Sequence, residues 1–223
     1  MVFLDLARRT GLSTDDSFNV LEVGCGHGIL RRQLEKNTKW TIDGVDLNMD
    51  GLKHCSSGRG ELYFYNIFDR RKEFEGRYDF LILFDVLEHI TDRKEFLQAC
   101  RFHVKKNGFI FINVPALNSL YGAYDRAAGH VLRYDKKTLS KEIADCNFKA
   151  FDIRYWGFSL LPFLCMRNLM TLKDADPELI IQKGFKPPHE TIHSLFKVMM
   201  HSEHAILKSP FLGTSVMAAA QCP

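Results

Sequence analysis

Short apolar runs alternate along the chain with segments in which apolar residues recur every three or four positions. A short apolar run bounded by turn residues is typical of a buried strand, and the second pattern is typical of a helix with one buried face. The predicted strands are 19–23, 40–45, 61–65, 79–84, 109–114, 149–155 and 214–220. The predicted helices are 28–37, 49–56, 92–105 and 138–146, with at least one more within 188–208. Strands that alternate with helices predict an α/β fold, with a parallel sheet covered on both faces.

The pair Asn107-Gly108 follows the predicted helix 92–105. Asn and Gly are the residues that most readily adopt the left-handed backbone conformation at the C-terminus of a helix. We therefore expect this pair to end the helix as a left-handed cap.

The composition is that of a soluble globular protein, with 46% hydrophobic and 12% aromatic residues in a chain of 223. This length is typical of one domain, so we expect residues 1–223 to form a single domain. The net charge is +3, from 30 basic and 27 acidic residues. Because nucleic-acid binding usually needs a concentrated basic face, this balance argues against a nucleic-acid partner.

Cysteine usage and the absence of long apolar segments predict a cytoplasmic protein without a transmembrane helix. The six cysteines never occur as Cys-x-x-Cys, which is typical of reduced thiols. The N-terminus offers only residues 2–4 before Asp5, so no signal peptide is visible. The most apolar stretch, 158–170, is interrupted by Pro162 and Arg167 and is shorter than the ~20 residues of a spanning helix. This stretch fits the core, a substrate lid or a membrane-facing patch.

The first predicted strand runs into the sequence Gly-Cys-Gly-His-Gly at 24–28, and the second predicted strand ends at Asp46. Glycines in a strand-to-helix turn let a nucleotide approach the backbone, and a carboxylate about 20 residues further on can bind ribose hydroxyls. A dinucleotide-binding fingerprint would place its third glycine at position 29, where this chain has Ile29. The alternative is an ordinary strand-to-helix turn with no ligand.

The glycines at 24, 26 and 28 match the first motif of class I S-adenosylmethionine-dependent methyltransferases, which this chain resembles over nearly its whole length. The resemblance implies a Rossmann-like, doubly wound sheet of seven strands in the order 3-2-1-4-5-7-6, with strand 7 antiparallel. It also implies S-adenosylmethionine as the cofactor. The positions that match the cofactor-binding residues of the family are Glu22, Gly24, Cys25, Gly26, Gly28, Asp46, Leu47, Asn66, Ile67 and Asp85.

The resemblance also assigns roles to these positions. An acidic residue at the position of Glu22 helps to hold the methionine end of the cofactor, and Asp46 corresponds to the residue that binds the ribose. The family residue at the position of Asn66 hydrogen-bonds the adenine amine, and its neighbour packs on the ring. Many members have Asp there, but Asn66 keeps an acceptor oxygen. The alternative for Asn66 is a cap on the turn that follows the strand.

The run Asp-Val-Leu-Glu-His at 85–89 is characteristic of the branch of this superfamily that acts on small molecules. Two other branches lack support: no Asn/Asp-Pro-Pro-Tyr turn of adenine-N6 methyltransferases and no Pro-Cys nucleophile of cytosine-C5 enzymes is present. On a helical turn Asp85, Glu88 and His89 share one face and could bind a divalent ion, as proposed for ubiquinone-type catechol O-methyltransferases. We expect no metal, with Asp85 at the methionine end and the other two capping the turn.

Two insertions, 115–137 and 157–210, do not follow from the bare fold and are expected to cover the pocket. The first is similar to the His-x-x-Arg-Tyr segment of a bacterial methyltransferase group associated with sugar and cell-envelope metabolism. We expect His130 to be the general base, with His89 as the second candidate. The residues expected to contact the substrate are Tyr121, Tyr124, Arg133 and Tyr134, of which Arg133 could clamp a carboxylate or phosphate. The alternative is a loop folded on its own polar network.

The segment 189–193, His-Glu-Thr-Ile-His, matches the His-Glu-x-x-His signature of zinc proteases. The extended signature fails, because Phe196 replaces its glycine and Met199 its third histidine. Pro187-Pro188 precedes the segment and favours the start of a helix, so we expect these histidines on a surface helix.

Taken together, the sequence predicts an S-adenosylmethionine-dependent methyltransferase that acts on the oxygen or nitrogen of a small metabolite, such as a saccharide or a lipid-linked compound. The alternatives are a nucleic-acid or protein methyltransferase, a non-catalytic protein that binds S-adenosylmethionine, and a zinc hydrolase. Methyl transfer from a sulfonium needs mainly alignment and exclusion of water, which explains why no acid/base pair is evident.

Overall fold

The computed structural model describes residues 2–171, 176, 180, 190–207 and 209–223. Its centre is a sheet of seven strands in the order β3-β2-β1-β4-β5-β7-β6. The strands are β1 (Asn19–Val23), β2 (Thr41–Asp46), β3 (Leu62–Phe64), β4 (Tyr78–Phe84), β5 (Val104–Pro115), β6 (Lys149–Trp156) and β7 (Ser215–Gln221). All neighbouring pairs are parallel except those of β7, which runs antiparallel to β5 and β6. The predicted strands and their order are therefore confirmed.

Eight helices accompany the sheet in the described part of the chain. They are α1 (Val2–Arg9), α2 (Ile29–Asn37), α3 (Met49–Lys53), α4 (Arg93–His103), α5 (Ala123–Ala127), α6 (Lys136–Asp145), α7 (Leu161–Thr171) and α8 (Glu190–Ile206). Short 3-10 turns occur at Ile67–Asp69, Lys72–Phe74, Leu87–His89, Asn118–Leu120 and Phe158–Leu160. The predicted helices are confirmed as α2, α3, α4, α6 and α8, whereas α1, α5 and α7 were not predicted.

Apolar side chains are buried on both faces of the sheet, as a doubly wound fold requires. One cluster includes Leu81, Ile112 and Leu139. The other lies beneath α1, where the Phe3 ring makes edge contacts with the rings of Trp40, Phe84 and Phe111. Helix α1 therefore closes one end of the second cluster. Among the described residues, no helix has the length and apolar character needed to cross a bilayer.

The prediction that Asn107-Gly108 caps α4 is wrong. The helix ends at His103, and its C-cap Val104 is already extended, with φ −96° and ψ 138°. Asn107 does adopt the left-handed conformation, with φ 63°, but it lies within the first part of β5. The pairing of β4 with β5 shifts register there, so the left-handed residue belongs to a bulge in the strand.

The carboxyl ends of the central strands meet at one edge of the sheet. Val23, the last residue of β1, pairs with Val45 of β2 and with Leu83 of β4. The residues that follow these positions therefore emerge side by side: the glycine turn, Asp46 and Asp85. This alignment places most of the predicted cofactor-binding positions at one edge.

The predicted insertions follow β5 and β6 and are tied to each other and to the sheet. Asn168 of α7 donates from Nδ2 to the carbonyl oxygen of Leu120 at 2.7 Å. Phe163 of α7 contacts Phe196 of α8, with 4.9 Å between ring centroids. Glu203 of α8 accepts hydrogen bonds from the backbone N–H groups of 157–159. The described parts of both insertions thus form connected walls beside the ends of β4 and β5.

Candidate active site

The turn after β1 brings backbone N–H groups to the edge of the sheet. Gly24 and Cys25 both donate to the carbonyl oxygen of Val45, at 2.8 and 3.2 Å. Gly24 has φ 75°, and a Cβ atom added there would lie 2.5 Å from Cγ2 of Val86. Both the backbone conformation and the close approach of Val86 therefore require glycine.

Asp46 ties the glycine turn to β2. Its Oδ2 accepts a hydrogen bond from the N–H of Gly26 at 2.6 Å, and its Oδ1 accepts one from the N–H of Asn48 at 2.7 Å. A carboxylate offers about four acceptor sites, so each oxygen still has one for a ligand hydroxyl. Asp46 is half-buried and can hold both the turn and a ribose.

Glu22 lies buried just before the glycine turn. Its Oε2 has no hydrogen-bond partner among the described residues. Burial raises the pKa of the Glu22 carboxyl to about 8, although the backbone N–H and the charge of Arg31 act in the opposite direction. A buried carboxyl with an unused oxygen is a site for a cationic group, because the cation would stabilise the ionised form.

Apolar side chains are exposed around this polar turn. Leu47 is 61% exposed and Phe68 is 42% exposed. Ile67, which precedes Phe68, is buried, and Asn66 caps the turn by accepting a hydrogen bond from the N–H of Phe68 at 3.1 Å. The capping alternative for Asn66 is thus seen, and its second acceptor site remains available. Exposed large apolar groups beside a polar turn provide a surface for a planar ring.

A cavity of about 530 Å³ lies beyond the end of β4. Its walls come from the 85–89 turn, from the first insertion and from α7. The lining residues that carry chemistry are Asp85, Glu88, His89, Tyr124, His130, Arg133 and Arg167. Four of the predicted catalytic and substrate-binding residues, His89, His130, Tyr124 and Arg133, therefore meet in one cavity together with Asp85.

Two other predicted substrate-binding residues are not among those that line this cavity. Tyr134 is fully buried, and its hydroxyl donates to Oε2 of Glu142 at 3.1 Å. Tyr121 donates from its hydroxyl to the carbonyl oxygen of His130 at 2.7 Å. These contacts support the loop that carries His130, which matches the alternative of a polar network within the insertion.

Asp125 is the centre of that network and was not predicted as a site residue. Its side chain is fully buried, and its Oδ1 accepts hydrogen bonds from Nδ1 of His130 at 2.9 Å and from Nε of Arg133 at 2.8 Å. The N–H of Gly122 donates to its Oδ2 at 2.8 Å. Burial acts to raise the pKa of Asp125, but the hydrogen bonds from His130 and Gly122 and the charge of Arg133 outweigh it and hold that pKa below its usual range.

Arg133 is committed to the same network. It is buried, and its NH1 group donates to the carbonyl oxygen of Ala116 at 3.1 Å in addition to the bond with Asp125. The guanidinium therefore balances the charge of Asp125 and holds the loop. Its predicted role as a clamp for a substrate anion stays a prediction.

The backbone and the rings hold His130 against the 85–89 turn. The N–H of Val131 donates to the carbonyl oxygen of Glu88 at 2.7 Å, and the rings of His89 and His130 meet edge to face with centroids 4.8 Å apart. Desolvation and the neighbouring His130 lower the pKa of His89, which favours its neutral ring. His130 is thus fixed by Asp125 on one side and by the turn on the other.

Glu88 is an unusual member of this wall. It is 1% exposed, and neither of its carboxylate oxygens has a hydrogen-bond partner among the described residues. Burial and the nearby Asp85 raise its pKa to about 8. In the part of the chain that the structure describes, Glu88, His89 and His130 offer ligand atoms within 4.8 Å of one another, close enough to hold a metal ion. This set differs from the one considered from the sequence, because His130 replaces Asp85.

The zinc-protease signature falls at the edge of the described residues. His189 lies outside them, as do Pro187 and Pro188. His193 belongs to α8, as expected for a residue on a helix, but its side chain is outside the described part. The zinc alternative, and the expected surface position of both histidines, therefore fall outside the described residues.

Comparison with known proteins decides the family. A family model described as a methyltransferase domain matches residues 3–152, about two thirds of the chain. The chain belongs to this methyltransferase family. The predicted resemblance to class I S-adenosylmethionine-dependent methyltransferases is confirmed, and S-adenosylmethionine is the cofactor that the family implies.

Among curated relatives, the chain is 31% identical over 100 residues to a ubiquinone biosynthesis O-methyltransferase of Vibrio parahaemolyticus, a match covering 42% of each protein. The chain thus matches less than half the length of this relative. A solved S-adenosylmethionine-dependent methyltransferase from Archaeoglobus fulgidus superposes with a TM-score of 0.61 at 18% identity, covering 99% of this chain and 93% of that one. A phosphoethanolamine N-methyltransferase of Haemonchus contortus in complex with S-adenosyl-L-methionine gives a TM-score of 0.62 at 15% identity, covering 99% and 52%. These structures confirm the fold.

The residues around the glycine turn fit S-adenosylmethionine. The unused oxygen of buried Glu22 suits the cationic amino group of the methionine end. The remaining acceptor sites of Asp46 suit ribose hydroxyls, and the exposed faces of Leu47 and Phe68 suit an adenine ring. The fit rests on the chemistry of these side chains. The cofactor has a charged methionine end, a polar ribose and a planar adenine ring, and the protein offers a matching group for each.

Replacing Asp46 with alanine is expected to weaken binding of S-adenosylhomocysteine by about 1–3 kcal/mol, from lost hydrogen bonds to a charged acceptor. Part of the loss comes from the freed N–H of Gly26 in the turn. Calorimetric titration measures the change, with Asp50→Ala as the control, because Asp50 is exposed on α3. Unchanged affinity of the Asp46 variant would remove the ribose assignment.

Replacing Glu22 with glutamine is expected to have opposite effects on stability and on cofactor binding. The wild-type carboxyl has a folded-state pKa of about 8, above that of the unfolded chain. As the pH rises, the Glu22 carboxyl therefore ionises at a lower pH in the unfolded chain than in the folded one. The cofactor-free protein loses stability between about pH 4.5 and pH 8. Glutamine cannot ionise, so the variant should melt higher than wild type by about 2–8 °C at pH 8 but not at pH 4.5. Calorimetric melting at both pH values tests the expected change in stability. Calorimetric titration tests cofactor binding, for which the variant should have a lower affinity than wild type.

Proposed function

We propose that this chain transfers a methyl group from S-adenosylmethionine to a hydroxyl oxygen of a small-molecule acceptor, with His130 as the general base. The observation that carries the proposal is the Asp125–His130 pair in the wall of the cavity beside Asp85. The name of the curated relatives, ubiquinone biosynthesis O-methyltransferase, supports oxygen as the accepting atom. A nitrogen acceptor would need the same base to remove a proton from an ammonium group.

The contact with Asp125 defines which nitrogen of His130 can act. Asp125 has a lowered pKa and is ionised at neutral pH, so it only accepts hydrogen bonds. Nδ1 of His130 must therefore carry a proton, which leaves Nε2 of the neutral ring as an acceptor. The pair thus holds His130 in the tautomer that a general base requires.

S-adenosylmethionine supplies an electrophilic methyl group on a good leaving group. The protein then has to position the acceptor hydroxyl, take its proton and keep water out. Nε2 of His130 accepts that proton, and the developing imidazolium is stabilised by Asp125. Asp85 is held in place through its Oδ1, which accepts a hydrogen bond from Nδ2 of Asn113 at 3.1 Å.

We further propose a saccharide or lipid-linked acceptor. A second cavity of about 500 Å³ also reaches Asp85. Its apolar lining comes mainly from α1 and the sheet, with further apolar side chains from α2, while α8 contributes Lys197, Met200 and His201. Such a space suits an apolar portion of the acceptor, while the polar cavity suits its hydroxyl group. The similarity of the first insertion to methyltransferases of sugar and cell-envelope metabolism supports the same substrate class.

We infer a cytoplasmic location and no nucleic-acid partner for the chain. All six cysteines are free thiols, which fits a reducing compartment. The balance of 30 basic and 27 acidic residues supports a small-molecule partner.

A metal-assisted form of the same reaction is the second candidate, because Glu88, His89 and His130 could hold a divalent ion. A bound ion would act as a Lewis acid on the acceptor oxygen. The two forms differ in one measurement: chelation with EDTA leaves a general-base enzyme active and inactivates a metal-dependent one.

Calorimetric titration with S-adenosylhomocysteine, with reduced nicotinamide cofactor as the control, tests the cofactor. Binding of the former alone supports the proposal and is followed by a screen of sugars, lipid-linked sugars and phenols for methyl acceptance. Binding without any methyl transfer across the screen would favour a non-catalytic protein. The absence of binding would reject the proposed function.

A further inference from the structure

Arg167 places a positive charge in the wall of the polar cavity. It lies on α7, in the second insertion, and lines the cavity together with Tyr124, His130 and Glu88. Its guanidinium carbon lies 4.0 Å from the centroid of the Tyr124 ring. This short cation–π contact places the guanidinium over an aromatic face.

The backbone next to Arg167 is anchored to the first insertion. Asn168 donates from Nδ2 to the carbonyl oxygen of Leu120 at 2.7 Å. Gly122, which precedes α5, approaches the same Asn168, since a Cβ atom added to it would lie 3.3 Å from Oδ1. The position of Arg167 relative to Tyr124 and His130 is therefore held by contacts on both sides.

The two arginines of the cavity differ in their surroundings. Arg133 is buried and bonded through Nε to the ionised Asp125. Burial and the nearby charge of Arg133 lower the pKa of Arg167, although Tyr124 and Asp125 act in the opposite direction. An anion placed beside Arg167 would offset both effects, because it would stabilise the cationic guanidinium.

The walls of the cavity present different groups. Asp85 and Glu88 lie on the 85–89 turn, and the cationic Arg167 comes from α7. An acceptor that carries both a hydroxyl and an acidic group would be oriented by this difference, because an anion is stabilised beside the guanidinium and gains nothing beside the two carboxyl groups. The base His130 belongs to the same cavity and would meet the hydroxyl.

We propose that Arg167 is a specificity-determining residue that binds a carboxylate or phosphate group of the methyl acceptor, with Tyr124 supporting the guanidinium. The proposal rests on the proposed function and narrows its substrate class to hydroxylated compounds that carry an acidic group. A planar guanidinium can donate two parallel hydrogen bonds to either anion, which is the shared chemistry of the two groups.

Matched acceptors test the proposal in two arms. The carboxylate arm compares catechol with 3,4-dihydroxybenzoate, and the phosphate arm compares glucose with glucose 6-phosphate. Formation of S-adenosylhomocysteine is followed for wild type, Arg167→Gln, Arg167→Lys and the control Arg126→Gln. Arg126 is exposed on α5 and is not among the residues that line the cavity, so the control removes an equal charge nearby.

In whichever pair of acceptors is methylated, wild type should prefer the compound with the acidic group over its neutral partner. Arg167→Gln should raise KM for that compound by roughly 10- to 100-fold, with kcat changed less than about threefold, from the loss of a charge-assisted pair. KM for the neutral compound should stay within about twofold, and lysine should restore part of the loss because it keeps the charge. Equal losses for both members of a pair, or a preference for the neutral member, would overturn the proposal.

Binding of simple anions decides the question independently of methyl transfer. Benzoate and inorganic phosphate are titrated into the complexes of wild type and Arg167→Gln with S-adenosylhomocysteine. We expect one anion to bind wild type and to lose about tenfold in affinity in the variant, while Arg126→Gln binds normally. Equal binding by wild type and Arg167→Gln, or no binding of either anion to wild type, would reject the role of Arg167. The absence of turnover with all four acceptors would count against the proposed function alone.

Discussion

Replacing His130 with alanine is expected to lower kcat by about 10²- to 10⁴-fold, the range that a positioned general base contributes. Affinity for S-adenosylhomocysteine should change by less than about twofold, because His130 lines the cavity proposed for the acceptor. Single-turnover kinetics with an accepted substrate measures the rate of methyl transfer. Calorimetric titration with S-adenosylhomocysteine measures the affinity. A fall in cofactor affinity equal to the fall in kcat would show a structural role instead.

The same mechanism makes Asp125→Asn informative. The Nδ2 group of asparagine can donate to Nδ1 of His130, which would place the imidazole proton on Nε2 and remove the acceptor that the base needs. The kcat of this variant should therefore approach that of His130→Ala, although the imidazole is still present. The variant also leaves Arg133 without a charged partner, so its melting temperature has to be measured in parallel.

Two controls separate the base from its alternatives. Asp145→Asn removes an exposed carboxylate from the end of α6 and should leave kcat unchanged. Treatment of the wild type with EDTA should also leave kcat unchanged. Loss of activity on chelation, with recovery on adding a divalent ion, would assign His130 to a metal site with Glu88 and His89.

The sheet, and the meeting of the glycine turn with Asp46, could be predicted because their signals are local. One strand ends at Val23 and another at Asp46, and in each case the residues that end the strand are recognisable from the local sequence. Parallel strands bring such ends together at one edge, so neighbours in space followed from the strand order. The pairing of Asp46 with the N–H of Gly26 is the contact that this argument requires.

The acceptor side could be predicted only in part, because its contacts join segments far apart in the chain. His130 was found from a motif, but Asp125 stands five residues earlier in an irregular segment, where no periodicity indicates that the two side chains meet. Arg167 was noticed only as an interruption of an apolar stretch. Its place in the cavity depends on the packing of α7 against the first insertion through Asn168 and Leu120.

Two of the three helices that were missed have a physical explanation. Helix α5 has five residues, too few for an apolar period to be visible. In α7, Pro162 was treated as an interruption, yet it is the second residue of the helix. A proline is tolerated in the first turn, because the N–H groups there have no partner within the helix.

Replacing Gly24 with alanine is expected to reduce affinity for S-adenosylhomocysteine by at least roughly 100-fold, equivalent to about 2.7 kcal/mol. Gly24 has φ 75°, and the added Cβ atom would lie 2.5 Å from Cγ2 of Val86. The turn must therefore move away from the 85–89 segment or change its backbone conformation. Either response displaces N–H groups of the glycine turn, which is the part of the protein that the cofactor approaches most closely.

A matched substitution isolates the steric part of this effect. Gly11 also has a left-handed backbone, with φ 91°, but a Cβ atom added there meets nothing within 4 Å. Gly11→Ala shares the backbone strain of about 1–2 kcal/mol and should lower the melting temperature while leaving cofactor affinity unchanged. A loss of affinity in Gly11→Ala similar to that in Gly24→Ala would mean that general destabilisation, and not the turn, explains the result.

Removing the opposing methyl groups then tests the cause directly. Val86→Ala deletes the Cγ2 atom that the new Cβ would meet, so the double variant Gly24→Ala, Val86→Ala should recover part of the affinity lost in Gly24→Ala. Full recovery would show that the collision with Val86 is the whole effect. No recovery would assign the loss to the two features that both variants share, namely the backbone strain at φ 75° and the contact of the alanine methyl group with the ligand.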